Sequence, residues 1–501
     1  MTHDGKPVMH PGAVRAAVAL AVVVGTLAIA PFTVQRCPDG TIRYWGAPPC
    51  PPIAPVTNTP AFPAALGFGK QTSGGRGGDV YHVTNLNATG AGSLHEGIDS
   101  ATGPRTIVFD TGGTTAGMSA VYVNKSDITI AGETAPGDGF CVKGDLRFEN
   151  CDNIIVRNIR VRCVPLPSVV KWSLWFLYGE RIYIEGCSFS WSTDEMLAFT
   201  DCEDVTVAHC LCAEWCRAYT LEENGPGKSA MFFGDCRDVT VYQNVMSTTA
   251  WRMPLFDGGR LQLWENVFYN CADHSSMALA GVDGHAPDAW VESVSNLRLN
   301  GPAAEIGWPA SQNVYWKQAG SCFDYGPGDV YLYVSGNKAD NDRADGLLTL
   351  VDGLWYGTYV TQVTPWTGTD AEWPVLPTPA AIDANWLFLR LAGAGYVNAE
   401  GEADTTDDRI RTDINNRASA STGTVLYFTA TMSDTYPLDP AAVGGYPTLA
   451  TGSAPLDTDQ DGMPDSYEDA AGLSKTNAAD GNIVVLSTGY TNLETYLNTL
   501  L

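Results

Sequence analysis

The chain has 501 residues, of which 45% are hydrophobic and 17% are charged, and this balance excludes a long disordered polyelectrolyte segment. Its formal net charge of −27 at pH 7 excludes nucleic acid and anionic lipid as partners, because both repel an acidic protein. The 52 glycines and 30 prolines favour a turn-rich β protein over a helical bundle.

Residues 1–35 have the pattern of an export signal. Lys6 and Arg15 precede an apolar run over 16–30, and Ala28–Ala30 resembles a cleavage site of the A-x-A type. The alternative is an uncleaved N-terminal membrane anchor, since the apolar character continues beyond the run. In both cases we expect the bulk of the protein outside the cytoplasm, and secretion if the signal is cleaved.

A short apolar repeat begins near Asp127. Each unit is a triplet with apolar first and third residues, which places two side chains on one face of a β-strand. The triplets are 128–130, 154–156, 182–184, 205–207, 239–241 and 261–263. Because one short coil cannot bury its apolar face alone, the repeat predicts a solenoid, and strands without intervening helices favour a parallel β-helix. An antiparallel sandwich would place Asn-Gly turns between the runs, and the sequence has none there.

The predicted segments are a signal or anchor at 1–35, a Pro-rich linker at 36–60, the β-helix at 61–445, and an acidic tail at 446–501. Residues 340–445 lose the triplet pattern, so we predict long excursions and a return segment over the solenoid. The tail has helical character around 467–471 and 493–500. Most cysteines lie beside the triplets, and we predict that they are small buried apolar residues.

The tail contains a calcium-loop motif from Asp457 to Glu468. Its oxygen-bearing residues occur at the positions that ligate calcium in an EF-hand loop, and Gly462 occupies the sharp turn. The predicted ligands are Asp457, Asp459, Asp461, the backbone carbonyl of Met463, Asp465 and Glu468. We expect a structural calcium ion here; the alternative is an acidic solvated linker.

Several stretches along residues 61–501 carry a family resemblance, including Gly-Gly-Arg-Gly-Gly at 74–78 and Ser-Phe-Ser-Trp-Ser-Thr-Asp-Glu at 188–195. The others are 61–63, 67–69, 83–86, 92–94, 105–109, 130–137 and 443–447. In this order they resemble the pectate lyases of polysaccharide lyase family one. The resemblance implies a right-handed parallel β-helix with long loops that cleaves polygalacturonate-type acidic polysaccharide by β-elimination, giving unsaturated uronides.

Arg252 lies in the run 251–256, which is similar to the R-x-P motif of that family. The resemblance implies that Arg252 is the catalytic base, although an isolated arginine stays protonated and only desolvation beside other cations would change that. The alternatives are a clamp for a substrate carboxylate or a surface residue that ends a coil. The family often has a second arginine where this chain has Asp257, and Arg260 is the candidate substitute as a substrate-binding residue.

Arg217 and Lys228 are the candidate cationic partners of Arg252. Both lie near the place where the family has a lysine beside the base, and the alternative is a pair of solvated loop cations. Because substrate and protein are both anionic, the lyase interpretation requires these groups to form a local positive trough.

The cleft departs from the family pattern in its calcium ligands. Asp194 and Glu195 are present, but the preceding coil offers Lys171 where calcium-dependent relatives have carboxylates. Two carboxylates are few for an ion that takes six to eight oxygens. Three alternatives stay open: substrate carboxylates complete the shell of the ion, Lys171 replaces the ion and binds substrate, or the site is degenerate.

Two other functions compete with a lyase. A polygalacturonan hydrolase shares this fold but needs carboxylates flanking the scissile bond, and its motifs are missing. A non-catalytic carbohydrate-binding, adhesin-like β-helix fits the lost carboxylates and the acidic surface. We expect a monomer, because a capped solenoid needs no partner to close its ends.

Overall fold

The computed structural model describes residues 34–36, 42–44, 59–165, 171–216, 230–249, 252–270, 276–279, 288–299, 316–318, 330–339, 349–350, 360–365, 373–382, 387, 389–390, 395, 403–416, 440–487 and 489–501. Contacts divide the chain into two compact units, Met1–Thr57 and Asn58–Leu501. In the first unit, β1 (Val34–Arg36) pairs antiparallel with β2 (Ile42–Tyr44), inside and beside the segment that we predicted as a linker. No helix in the described ranges has the length and apolar character to cross a membrane.

The second unit is built on three stacks of parallel strands, which we call sheets 1, 2 and 3. Sheet 1 consists of β3 (Asp79–Val83), β4 (Arg105–Phe109), β7 (Ile128–Ala131), β9 (Ile154–Arg157), β12 (Glu180–Glu185), β15 (Glu203–Ala208), β18 (Arg237–Tyr242), β21 (Gly259–Trp264), β24 (Ala289–Val294), β27 (Val330–Ser335) and β30 (Val360–Gln362).

Sheet 2 consists of β5 (Gly113–Thr114), the first part of β8 (Phe140–Glu149), β10 (Arg160–Arg162), β13 (Ser188–Ser190), β16 (Leu211–Ala213), β19 (Val245–Ser247), β22 (Val267–Tyr269), β25 (Leu297–Leu299) and β28 (Lys338–Ala339), with β29 (Thr349–Leu350) antiparallel at its end. Sheet 3 consists of β6 (Met118–Val123), the second part of β8, β11 (Leu174–Leu177), β14 (Leu197–Thr200), β17 (Met231–Gly234), β20 (Leu255–Asp257), β23 (Ser276–Leu279) and β26 (Trp316–Gln318).

Successive strands of the chain visit sheets 1, 2 and 3 in turn, as β12, β13 and β14 do, and then begin the next coil. Every one of the six predicted triplets lies in sheet 1, and their third residues stack in register from Ile130 through Val156, Ile184, Val207 and Val241 to Leu263. The predicted parallel β-helix is therefore confirmed. The coils stack because the apolar side chains of one triplet are buried by the coils above and below it.

Stacked side chains hold the coils together inside. Phe148, Phe176, Phe199 and Phe233 form a ladder with centroid spacings of 5.0, 5.5 and 5.0 Å. Burial of each ring contributes about 1.5–3 kcal/mol. At the turn from sheet 1 to sheet 2, buried asparagines form a second ladder in which Asn266 donates to Asn296 at 3.0 Å. The described cysteines are all buried, as predicted.

The α-helices with described bounds are α1 (Leu94–Asp99), α2 (Thr405–Asn416), α3 (Asp465–Ala471) and α4 (Asn492–Leu497). Short 3-10 turns lie at Phe68–Gln71, Gly132–Thr134 and Pro440–Val443. Helices α3 and α4 confirm the helical character predicted for the tail. Helix α2 was not predicted; its Ile410 and Ile414 pack with residues of sheet 2 such as Val245.

Candidate functional site

The outer face of sheet 3 is the surface from which the site is built. Side chains alternate across each strand, so the inward phenylalanine ladder leaves the neighbouring positions facing outward. In register these outward positions are Arg147, Trp175, Ala198, Phe232 and Leu255. The sequence therefore places an aromatic and aliphatic strip across the sheet, with a guanidinium at one end.

Arg252 lies immediately before β20, at the edge of this strip. Its Nη1 donates to Oε1 of Glu195, and its guanidinium carbon lies 5.2 Å from the centroid of the Phe232 ring. Glu195 is buried, and its Oε2 accepts a 2.9 Å hydrogen bond from Nε1 of Trp172. A carboxylate partner stabilises the charged form of a guanidinium. In this arrangement Arg252 is a fixed positive charge.

Lys171 lies at the same edge, three coils away, before β11. Its Nζ contacts Oδ1 of Asp145 at 2.7 Å and Oγ of Ser119 at 2.9 Å. Its backbone is held in place as well, because Lys171 N donates to Oγ1 of Thr193 and Lys171 O accepts from the amide of Asp194. The segment that carries Asp194 and Glu195 thus connects Lys171 to Arg252. We call Asp145, Lys171, Glu195 and Arg252 the cleft-edge cluster.

Two tryptophan rings and an arginine lie next to the cleft-edge cluster. Trp172 and Trp175 lie 4.3 Å apart by ring centroids, and the Arg147 guanidinium lies 3.9 Å from the Trp175 centroid. Arg147 also pairs with Glu149 at 2.5 Å. Stacking on an aromatic face holds a guanidinium in one orientation and contributes about 0.5–1 kcal/mol or more when desolvated. Arg147 was missed at the sequence level; its outward register beside Trp175 is the signal that could have found it.

The charges of the cleft edge are compensated in the described residues. Lys171 pairs with Asp145, Arg147 with Glu149, and Arg252 with Glu195. The positive trough that the sequence required depends also on Arg217 and Lys228, and both lie outside the described residues. Their proximity to Arg252 stays a prediction.

Arg260 lies elsewhere. It is on β21 of sheet 1, where its guanidinium pairs in bidentate fashion with Asp238 and stacks over Phe68 at 5.1 Å. The hydrogen bonds to Asp238 raise the pKa of Arg260 above its ordinary value, with burial acting in the opposite direction. Arg260 therefore lies on sheet 1, whereas Arg252 precedes a strand of sheet 3. This placement does not favour the predicted role of Arg260 in substrate binding, which is left to experiment. Asp257 is buried in β20.

A second cluster lies in the tail, and we call it the C-terminal carboxylate cluster. Oxygens of Asp457, Asp459 and Asp461 lie within 4.8 Å of one another, and so do oxygens of Asp461, Glu468 and Asp480. Elsewhere in the described ranges, the cleft edge included, no such grouping of possible metal ligands occurs. The motif residues meet because the loop turns sharply at Gly462, whose φ is 90°.

Several oxygens of this cluster have no hydrogen-bond partner among the described residues. Within the described part of the chain, the side-chain oxygens without a hydrogen-bond partner include both of Asp459, both of Glu468, Oδ2 of Asp461 and Oδ1 of Asp480. Glu468 and Asp461 are buried, at 0% and 2% exposure. Buried carboxylates without donors are costly unless a cation neutralises them. Hard oxygen donors in this number suit calcium.

The pKa values of the cluster have the same cause. Burial, followed by the charge of the neighbouring aspartates, raises the pKa of Asp461 to about 7 and the pKa of Glu468 to about 7. A further contact joins the loop to sheet 1, because His82 Nε2 lies 3.8 Å from Oδ2 of Asp457. Burial lowers the pKa of His82, but its hydrogen bond to Asp110 and both carboxylate charges raise it overall.

Asp465 and Asp480 differ in what they contact. Asp465 accepts hydrogen bonds of 2.8 Å from N and from Oγ1 of Thr458, and its role as a ligand stays a prediction. Asp480, which was not predicted, has an oxygen within 4.8 Å of oxygens of Asp461 and Glu468. The sequence gives little signal for it beyond the following Gly481, where a Cβ would lie 2.6 Å from Oδ2 of Asp461. The side chain of Met463 is fully buried, and a ligand role for its carbonyl stays a prediction.

The described part of the chain is thus a parallel β-helix that carries arginines beside aromatic rings on the outer face of one sheet. The chain matches no model of a known protein family. The protein of Neosartorya fischeri described as probable pectate lyase C is 30% identical over 450 residues, which cover 89% of this chain and 94% of that protein. The probable pectate lyase C of Aspergillus terreus is 29% identical over 449 residues, covering 88% and 94%.

Among solved structures, the cedar pollen allergen jun a 1 is similar with a TM-score of 0.49 and 15% identity, covering 67% of this chain and 93% of the allergen. The sequence relationship decides the family, because it extends over nearly the full length of the relatives at 30% identity. The chain therefore belongs to the pectate lyase family of polysaccharide lyases.

Proposed function

We propose that this pectate lyase cleaves a polygalacturonate-type polysaccharide by β-elimination at the outer face of sheet 3, with Arg252 at the reacting centre. The observation that carries the proposal is the cleft-edge cluster, in which Arg252 and Lys171 are ordered beside an aromatic strip. A sugar ring packs its C–H face on such a strip, and its carboxylate meets the cations.

The reaction breaks two bonds and forms one double bond. A base removes the proton from C5, the electron pair of that C–H bond forms the C4=C5 double bond, and the C4–O bond breaks. The leaving oxygen takes a proton and becomes the new end of the shortened polymer. Negative charge builds on the uronate carboxylate in the transition state, so fixed positive charges beside it are the largest source of acceleration.

Arg252 has two roles available in this scheme. While Glu195 holds it, its charged guanidinium can bind a substrate carboxylate through the remaining N–H donors. Acting as the base requires a neutral guanidinium, which the contact with Glu195 opposes. Proton removal by Arg252 therefore requires that substrate binding loosens this ion pair. Arg217 and Lys228 are proposed to supply neighbouring positive charge that favours the change.

For the tail we propose one structural calcium ion held by Asp457, Asp459, Asp461, Glu468 and Asp480. The unsatisfied oxygens of the cluster support it, and the ion supplies charge neutralisation to the fold rather than chemistry to the reaction. The tail packs on sheet 1, where Ala131 and Met463 share a buried cluster. Calcium bound here would therefore stabilise the first coils of the solenoid.

We also propose that residues 1–35 direct secretion and that the protein acts as a monomer outside the cell. An extracellular polysaccharide is accessible only to an exported enzyme, and the basic and apolar pattern of the segment supports export. The segmentation into a linker at 36–60, a β-helix at 61–445 and a tail at 446–501 also stays a proposal.

The test is incubation of the purified protein with polygalacturonate. A lyase produces ultraviolet absorbance from the C4=C5 double bond conjugated with the carboxylate. New reducing ends without that absorbance would indicate the hydrolase, and neither signal would leave the carbohydrate-binding alternative. Homology with pectate lyases favours the first outcome.

A further inference from the structure

The strands that face the proposed substrate carry no carboxylate in the central part of sheet 3. On β11, β14 and β17 the outward residues are Trp175, Leu177, Ala198, Thr200 and Phe232. A calcium ion takes six to eight oxygen ligands, and a strip of aromatic and aliphatic side chains offers almost none. Carboxylates near the strip occur only at its edges in the described residues.

Two of those edge carboxylates already neutralise cations of the chain. Asp145 contacts the ammonium of Lys171, and Glu195 contacts both Arg252 and the indole N–H of Trp172. Asp194 is buried, and its amide donates to the carbonyl of Lys171. Among the described residues, the donor set at the cleft edge therefore does not fit a calcium ion, whereas the C-terminal carboxylate cluster does.

We propose that the ammonium group of Lys171 supplies, in this cleft, the positive charge that stabilises the uronate carboxylate during β-elimination, so that the reaction requires no calcium ion there. This inference rests on the proposed lyase function. The electrostatic role is thereby assigned to Lys171, and calcium is proposed for the tail alone.

The geometry suits Lys171 to this task. An ammonium group has three donors, and the described contacts use two of them, on Asp145 and Ser119. Its side chain is 20% exposed, which leaves the third donor accessible to a ligand. Two backbone hydrogen bonds to Thr193 fix the position of Lys171 relative to Glu195 and Arg252. A charge held in advance costs no reorganisation when the transition state forms.

The first experiment measures turnover of a soluble oligogalacturonate with excess chelator and with added calcium, at a temperature where circular dichroism shows the chelated protein folded. We expect turnover to agree within about twofold between the two conditions, because the charge that acts in the cleft belongs to the chain. Loss of turnover in a folded, chelated protein, restored by calcium, would overturn the inference.

The second experiment replaces the charge while keeping the stem, in Lys171→Met. We expect turnover to fall about 100-fold or more, with no recovery on addition of calcium. The matched control is Lys475→Ala, which removes a surface lysine that contacts Asp469 at the same 2.7 Å distance. Recovery of Lys171→Met by calcium would show that a metal ion can occupy the cleft and would contradict the assignment.

The third experiment counts calcium ions without using activity. Calorimetric titration should give one ion for the wild-type protein and none for Glu468→Gln, with Asp480→Asn as a second variant of the same cluster. A calcium ion retained by both folded variants would place metal elsewhere and overturn the inference. Absence of unsaturated product under every condition, by contrast, would remove the lyase function itself and the role of Lys171 with it.

Discussion

The cleft-edge cluster and the C-terminal carboxylate cluster both gather buried or half-buried acidic side chains, but they neutralise them differently. At the cleft edge, Asp145 and Glu195 each contact a cation of the chain itself. In the tail, Asp459 and Glu468 keep oxygens that no described group satisfies. The comparison teaches that acidic residues alone do not define a metal site; what decides is whether a lysine or arginine already occupies the space between them.

The largest expected effect is at Arg252. In Arg252→Ala we expect turnover of polygalacturonate to fall about 1,000-fold, because both proton removal and charge stabilisation are lost. The measurement is the initial rate of unsaturated product formation. Arg237→Ala is the matched control, since Arg237 forms an exposed ion pair with Glu203 on sheet 1. Full activity of Arg252→Ala would show that this cation is not needed for turnover, and it would contradict the role proposed for the cleft-edge cluster.

Calcium removal should act on stability. At a calcium concentration about 100 times the dissociation constant, binding to the folded state alone contributes about 2.7 kcal/mol to the free energy of unfolding. We therefore expect the melting temperature to rise with calcium and fall with chelator in the wild-type protein. Glu468→Gln should show no such dependence. If the melting temperature of the wild-type protein did not change with calcium, the C-terminal carboxylate cluster would not bind the ion, and the proposed difference between the two clusters would be wrong.

The stability of the chelated protein should also depend on pH. Folding raises the pKa of Asp461 from 3.8 and of Glu468 from 4.5, in each case to about 7. The folded state thus binds more protons than the unfolded state between about pH 4 and pH 7, so stability falls as the pH rises through this window. Calcium should abolish the loss, since it replaces the protons. Chelated protein that is as stable at pH 8 as at pH 5 would contradict this.

The smallest effect is expected at Arg260. Its ion pair with Asp238 is partly exposed, so Arg260→Ala should lower the free energy of unfolding by about 1 kcal/mol or less. Turnover should change by less than about twofold, because sheet 1 carries this residue away from Arg252. Denaturant unfolding and the same rate assay measure both quantities. A large loss of turnover would restore Arg260 as a substrate-binding residue.

Much of the fold could be predicted because its information is local. Apolar and other residues alternate within each triplet, and each coil stacks on the next one along the chain. Beyond these local features, only the register between neighbouring coils has to be specified. Helix α2 shows the limit. Its Ile410 and Ile414 are spaced about one helical turn apart, which fits an amphipathic helix. The apolar surface of sheet 2 against which they pack is known only from the structure. The sequence of residues 405–416 is too polar for its apolar periodicity to predict the helix.

The site was predicted less completely, because its decisive contacts join distant coils. The sequence by itself determined the calcium-loop motif of the tail, since consecutive residues with fixed spacing must converge when the loop turns at Gly462. It also singled out Arg252 and Glu195 as candidate site residues, through their resemblance to the motifs of the family. Only the tertiary structure decided that Lys171 contacts Asp145, that Asp480 lies beside Asp461 and Glu468, and that Arg260 pairs with Asp238 on sheet 1. Spacing along a chain constrains neighbours within one coil, whereas pairing between coils depends on register and on insertions of variable length.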